Sequence, residues 1–379
     1  MSSAPALGIT CELGQPPPST LSLAPVLECA DNPEAAVRRL ERWRLHRIAG
    51  ELLPWERVGK CLRFVRIGGA GIEVRQSQRS TFYAGLQTCG SVWHDPICAV
   101  KIAQKRRVEV VKAVVVARAQ GLEVYHVIDT VRHDGSQTLK EVLSGYSNAR
   151  KLMMNRKPYK RLKNDIGLVG TMRALEVTHS WENGWHVHGH SLWFLPPGTG
   201  VGTLQEALYP MWRDGNLSAG MTAPSPERGI VVQDGTYASE YASKWGLEDE
   251  ITSAHIKKGR QGHRNPWQMA SDAGDGDAKS GKLFQVYGKE FKGRRQVVWS
   301  PGLRDRLDLG QEQTDEQLAA EVDPESILLG RLTMSQWRAV MKADKRGEVL
   351  ETARAKGWPG VVELVAQLTG EKYVPGVPF

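Results

Sequence analysis

The sequence predicts an α+β fold, on three observations. Two strand-like runs, residues 173–179 and 185–194, are joined by a short polar turn holding Asn183-Gly184, and Asn-Gly between alternating segments is a strong hairpin signal. A further run, 122–133, is rich in β-branched and aromatic residues, as strands are. Helical periodicity fills the intervals, most clearly over 99–120, where Val100, Ile102, Val108, Val111, Val114 and Val115 supply the apolar positions and Gly121 the stop.

Composition sets the outer bounds. A chain of 379 residues buries a full core and has room for two structural units. Its formal charge of +8 favours a polyanionic partner. Core packing is the default for each of the 12 tryptophans, with base stacking the sharper role. Five cysteines, an odd number, point to reduced thiols or metal ligands before a disulfide framework. No apolar run reaches the ~18–20 residues that span a bilayer. The first residues lack the basic and apolar regions of a signal peptide, so a cytoplasmic protein without membrane contact is expected.

Taken in order, residues 1–35 read as a flexible tail containing Pro16-Pro17-Pro18. Residues 36–50 read as a short amphipathic helix made basic by Arg38, Arg39, Arg42, Arg44 and Arg47, which either face solvent or contact phosphate. These open an N-terminal basic and cysteine-containing segment, 36–110. After the strand at 122–133 come a helix from about 138 to 150 and a densely basic stretch, 151–163. A helix over 204–212, a loop over 213–228, a short strand at 229–233 and a helix holding 237–245 follow, and Asn265 begins another. Phe291 to Ser300 is a basic turn and strand. The acidic stretch 312–325 reads as a linker, and 326–370 as three short helices in a C-terminal region, 311–379.

Three constellations carry chemistry. His186, His188 and His190 fall at period two, so a strand turns all three imidazoles to one face. Glu176, in the first run of the hairpin, can be brought beside them. Imidazoles plus a carboxylate on one face suit a divalent cation. Cys61, Cys89 and Cys98, with His94 or Asp95 as fourth donor, form either a structural Zn2+ site or a set of ordinary buried cysteines. Tyr237, Tyr241 and Lys244 lie at i, i+4 and i+7 and share a helical face. Tyrosine attacks phosphorus well when a cation stabilises its phenolate.

His-Val-His-Gly-His preceded by Arg-Ala-Leu-Glu-Val-Thr resembles the plasmid rolling-circle replication initiators, endonucleases of the His-hydrophobic-His (HUH) superfamily. The other family elements stand in the same order over residues 58–303: a cysteine segment, the strand end Asp129-Thr130-Val131-Arg132-His133, the Glu/His hairpin, Tyr241-Ala-Ser-Lys244, and Lys292-Gly-Arg294-Arg295 before Trp299-Ser300. The chain departs from the pattern at Asp95, where a middle cysteine is usual, at Asp129, at Gly189, where an apolar residue is usual, and at Tyr237, where single-tyrosine relatives carry a glutamate.

The resemblance implies a nuclease domain, 111–303, in which an antiparallel sheet with flanking helices holds the metal and the tyrosine helix lies across it. A small cysteine segment precedes it and a helical region follows. It also implies that Mg2+ or Mn2+ is held by Glu176 and by the histidines, ranked His188, His190, His186. Tyr241 then nicks single-stranded origin DNA through a 5′-phosphotyrosine, assisted by Lys244, with Tyr237 either a second nucleophile or a packing residue. Arg132, Arg173, Arg294 and Arg295 contact DNA, and a host helicase and polymerase are the implied partners. A conjugative relaxase or transposase of the same superfamily, a metallohydrolase using metal-bound water, and a non-catalytic DNA-binding protein are the rival readings.

Overall fold

The computed structural model describes residues 33–78, 80–236, 238 and 262–371. Helix α1 (Pro33–Leu52) leads into a small hairpin, β1 (Ile72–Gln76) and β2 (Thr81–Ala84). Helix α2 (Pro96–Ala119) follows. Asp95 caps it by accepting from the Ile97 and Cys98 backbone N–H groups, with Pro96 in the first turn, where its missing N–H costs nothing. Strand β3 (Glu123–Thr130) comes next, then α3 (Leu139–Asn155), begun by a Thr138/Glu141 capping box, and α4 (Lys157–Asp165). The long hairpin is β4 (Gly170–Ser180) and β5 (Gly184–Leu195). Helix α5 (Val201–Ser218) and β6 (Ile230–Gln233) complete the segment before residue 239.

The chain resumes with α6 (Pro266–Gly274), α7 (Ala278–Phe291), β7 (Val297–Trp299) and the single turn α8 (Leu303–Arg306). Then come α9 (Asp315–Ala320), β8 (Ile327–Leu332), α10 (Met334–Lys342) and α11 (Arg346–Thr369). Gly357, at φ +65° two residues before Pro359, kinks α11 into two halves.

Five strands form one antiparallel sheet in the order β6-β3-β5-β4-β7, with β4 and β5 paired as the hairpin predicts. Helices cover both faces. On one, Met172, Ala174, Leu192 and Phe194 pack against Val110, Ala113, Val114 and Ala117 of α2. On the other, Leu175, Val177, Val187 and Trp193 join a larger core with Leu139, Leu143 and Tyr146 of α3 and Leu208 and Trp212 of α5. Complete burial of each such side chain is worth ~1.5–3 kcal/mol. The apolar cluster under α2 takes only the part of β5 beyond His190. Glu176, His186, His188 and His190 lie half-buried on the same face, outside that cluster.

A second antiparallel sheet, β2-β1-β8, pairs Ile72 with Leu332 and so ties the two ends of the described chain together. Neither its strands nor α7 is foreseen from sequence. The acidic stretch read as a linker is docked instead. Buried Arg106 of α2 reaches Glu312 and Asp315, Lys105 reaches Glu321, and Lys101 donates to the Ala319 carbonyl. The arginines of α1 are likewise used internally. Arg39 grips Glu351 of α11 with two hydrogen bonds of 2.6 and 2.7 Å, and Arg47 pairs with Asp344. These pairs staple α1 to the C-terminal part of the chain. Among the described residues no helix is long and apolar enough to cross a membrane.

Candidate metal centres

The β4–β5 hairpin positions the first centre. Ser180 pairs with Gly184, so the loop is Trp181-Glu182-Asn183, and Gly184 takes φ +72°, open to glycine at little cost. In this register Glu176 stands opposite His188, Ala174 opposite His190 and Thr178 opposite His186. The Glu176 carboxylate reaches across to two imidazoles, with Oε2 3.3 Å from His188 Nε2 and 3.4 Å from His190 Nε2. Donor atoms bonded to one ion at about 2.1 Å stand roughly 3.0–3.5 Å apart, so this trio can close on a divalent cation. Burial alone would raise the Glu176 carboxyl. The neighbouring His190 and hydrogen bonds from His188 and His190 overcome it and hold the acid well below the usual carboxylate range.

His186 stands apart from the trio. Its Nδ1 is 2.8 Å from Nε2 of His133, whose own Nδ1 is 2.9 Å from the Asn183 carbonyl. Burial first, then the nearby His188 and His133, push His186 down to about 3, so its ring is neutral at pH 7. On the opposite flank, His126 of β3 brings Nε2 to 3.0 Å from His190 Nδ1 and Nδ1 to 2.9 Å from Gln233 Oε1. Burial, then His190, lower His126 to about 4. Sequence reasoning missed His126 and Gln233, and quoted His133 only as part of a strand. The available signal was parity, because His126 lies an even number of residues from Ile128, which pairs with His190.

The second centre joins two distant segments at the start of α2. Cys61, Cys89, Asp95 and Cys98 are all buried and their donor atoms converge. Cys98 Sγ is 3.7 Å from Cys61 Sγ and 3.6 Å from Cys89 Sγ, and Cys89 Sγ is 3.2 Å from Asp95 Oδ2. Tetrahedral Zn2+ with Zn–S bonds of about 2.3 Å sets sulfurs about 3.8 Å apart, so the donors fit zinc. Hydrogen bonds from Cys61, then Cys89, bring the Cys98 thiol down to about 5, whereas Cys61 and Cys89 are raised. Asp95 is the residue whose carboxylate joins the three sulfurs. His94, the other candidate, turns away and bonds through Nε2 to the Gly288 carbonyl at 2.8 Å. His46 Nδ1 supports Asp95 from behind at 3.0 Å.

The DNA-contact candidates divide. Arg132 is exposed just past β3, and Arg295 is exposed, 3.7 Å from Glu312. Arg294 folds back to the Glu290 carbonyl. Arg173 is an odd number of residues from Glu176 and so lies on the opposite sheet face from the histidines. The basic stretch 151–163 lies behind the sheet too, since Tyr159 of α4 packs edge-on against Trp193. Tyr237, Tyr241 and Lys244 lie outside the described residues. Ala238 is described, and is fully buried in the apolar cluster on the histidine face.

The chain is similar to Protein rep of Streptomyces lividans. The two are 27% identical over 365 residues, covering 76% of this chain and 79% of Protein rep. A shorter likeness, 29% identity over 132 residues, links 28% of this chain to 30% of a neomycin resistance protein of Streptomyces cyanogenus. No family model matches the chain, and no solved structure matches it. The likeness to Protein rep extends well past the hairpin, because its share of the chain exceeds anything one motif could supply.

Proposed function

We propose that the protein is a plasmid rolling-circle replication initiator that nicks and rejoins single-stranded origin DNA. The observation that carries this reading is the convergence of Glu176, His188 and His190 on a half-buried patch of sheet, and the likeness to Protein rep supports it. Glu176, His188 and His190 would hold the ion, and two imidazole donors favour Mn2+ over the harder Mg2+. A divalent cation bound there polarises the scissile phosphate and offsets charge on its oxygens.

The chain's own residues do the rest. Tyr241 follows Ala238 by three residues in sequence, and Ala238 is buried in the apolar cluster on the histidine face. The Tyr241 phenolic oxygen, having lost its proton, forms a bond to phosphorus as the bond to the 3′-oxygen breaks. The departing oxygen takes up a proton and becomes a free 3′-hydroxyl that can prime a polymerase. The 5′-phosphate stays esterified to Tyr241, so the reverse reaction can rejoin the strand. Lys244, nearby in sequence, supplies positive charge that favours the phenolate. Arg132 and Arg295, both exposed, are suited to the DNA backbone. The cysteine group is assigned to a structural Zn2+.

The test is a nicking assay on labelled single-stranded origin DNA with Mn2+, comparing wild type with Tyr241→Phe and Tyr237→Phe. Wild type should form a covalent protein–DNA band that Tyr241→Phe lacks. Cleavage that persists unchanged in Tyr241→Phe would sink the transesterification reading and favour a metallohydrolase.

A further inference from the structure

The metal group leaves two histidines unused, and both make the same contact. His126 sits between Gln233 Oε1 and His190 Nδ1, and His133 sits between the Asn183 carbonyl and His186 Nδ1. Each outer imidazole is anchored at Nδ1 to an amide oxygen and presents Nε2 to an inner histidine.

The proton positions follow from what each group can do. An amide oxygen only accepts, so the outer ring must carry its proton on Nδ1. A neutral imidazole carries one proton, which leaves the outer Nε2 as an acceptor. The inner ring must then donate from Nδ1, and its Nε2 lone pair is left for another partner. For His190 that Nε2 is the atom 3.4 Å from Glu176 Oε2, so without a metal the two acceptors would face each other, and the Nδ1–H tautomer belongs to the metal-loaded site. The His126 and His190 rings are inclined by only 16°, which suits an in-plane N–H···N bond between them. His188 differs, since its buried Nδ1 has no hydrogen-bond partner among the described residues.

We propose that His126 and His133 are positioning residues that lock His190 and His186 in the Nδ1–H tautomer, and that Gln233-His126 thereby sets the metal affinity of His190. This rests on the metal-centre reading of Glu176, His188 and His190. Orienting partners of metal-bound histidines change affinity by about 10–100-fold when removed. The arrangement also accounts for a histidine, His126, buried beside Gln233 with both ring nitrogens engaged.

The first experiment reads the tautomers directly at pH 7.5 in protein loaded with Zn2+, a diamagnetic stand-in for Mn2+, because in the metal-free protein Glu176 competes for a proton on His190 Nε2. Two-dimensional 15N–1H spectra of histidine-labelled protein distinguish Nδ1–H from Nε2–H rings, and single His→Gln variants assign them. His126, His133, His186 and His190 should all be Nδ1–H. An Nε2–H tautomer at His190 or His186 overturns the proposal.

The second experiment measures Mn2+ affinity by titration calorimetry. His126→Ala should bind 10–100-fold more weakly, whereas His126→Gln, which returns an amide oxygen near the former Nε2, should recover most of the loss. Gln233→Leu should weaken binding by a smaller factor, and it tests the relay even if His126→Ala does not fold. Wild-type affinity in folded His126→Ala and Gln233→Leu overturns the proposal while leaving the metal centre standing. A wild-type protein that binds no Mn2+ overturns both, and so separates the two failures.

Discussion

Asp129 of β3 stands directly opposite Gly189 of β5, and the two departures from the family pattern are one structural feature. Between His188 and His190 the strand shows its other face to α3. There the Tyr146 hydroxyl occupies the space a side chain would need, since a Cβ on residue 189 would lie 2.0 Å from Tyr146 Oη and 3.1 Å from Asp129 Oδ2. Beside it, Asp129 accepts a 2.9 Å hydrogen bond from Arg150. A polar group thus fills, from behind, the place of an apolar residue between the two metal-group histidines.

Gly189→Ala should therefore destabilise the protein by about 1–3 kcal/mol, the usual cost of overpacking. It should also weaken Mn2+ binding, because β5 can relieve the clash only by moving His188 and His190. Adding Tyr146→Phe removes the closest atom and should restore part of both losses. Urea unfolding of the single and double variants checks this. Additive destabilisation in the double variant would show that Tyr146 is not the obstacle.

The ion pair under the hairpin gives a second expectation. Asp129 and Arg150 have side chains only 2% and 13% exposed. Asp129→Ala strands a buried guanidinium and should cost about 3–5 kcal/mol. Asp129→Leu combined with Arg150→Met removes both charges and should recover most of it. A double variant as unstable as Asp129→Ala would mean that the pair's geometry, not its charge balance, matters.

Much of this was legible in the sequence where one residue pattern decides the structure. The hairpin, the faces of its histidines, the long α2 helix and the two halves of α11 all follow from local periodicity. What was not legible depends on distant partners. Strand β8 is short, and it becomes a strand by pairing with β1, some 250 positions earlier in sequence. Helix α7 is hidden by Gly281 and Gly288, the latter needed because a Cβ would come within 2.8 Å of Leu53. The α1 arginines read as a DNA-facing run because their acidic partners, Asp275, Asp344 and Glu351, are remote in sequence. At the site, the sequence marks Glu176 and the histidine stripe, but a histidine in an apolar strand looks like core, and that concealed His126.

Acid should unfold the protein partly through a histidine outside the metal group. His179 is buried on β4, and burial, then Arg264 and His263, lower it to about 4 from the ordinary 6.5. Between those pH values the unfolded chain binds a proton that the folded one refuses. Stability is therefore complete above pH 6.5 and falls as pH drops toward 4. The thermal midpoint measured across this range should fall less steeply in His179→Gln. An identical slope in that variant would assign the acid loss to other groups.

The cysteine centre allows two roles of one residue to be separated. Asp95 both caps α2 and brings its carboxylate beside Cys61, Cys89 and Cys98, where it would be the fourth donor to a bound Zn2+. Purified protein should carry about one Zn2+ per chain, detected by elemental analysis, and lose it with a thiol-reactive mercurial. Asp95→Ser keeps a side-chain oxygen able to cap the helix but withdraws the carboxylate from the sulfurs and from His46. It should release zinc much more readily than wild type while keeping most of its helical circular dichroism. Cys98→Ser should lose zinc and lower the melting temperature together, because metal binding to a buried site is part of the folding free energy. If wild type contains no zinc, and chelation leaves its melting temperature unchanged, the four residues are a hydrogen-bonded core cluster and the zinc assignment is wrong.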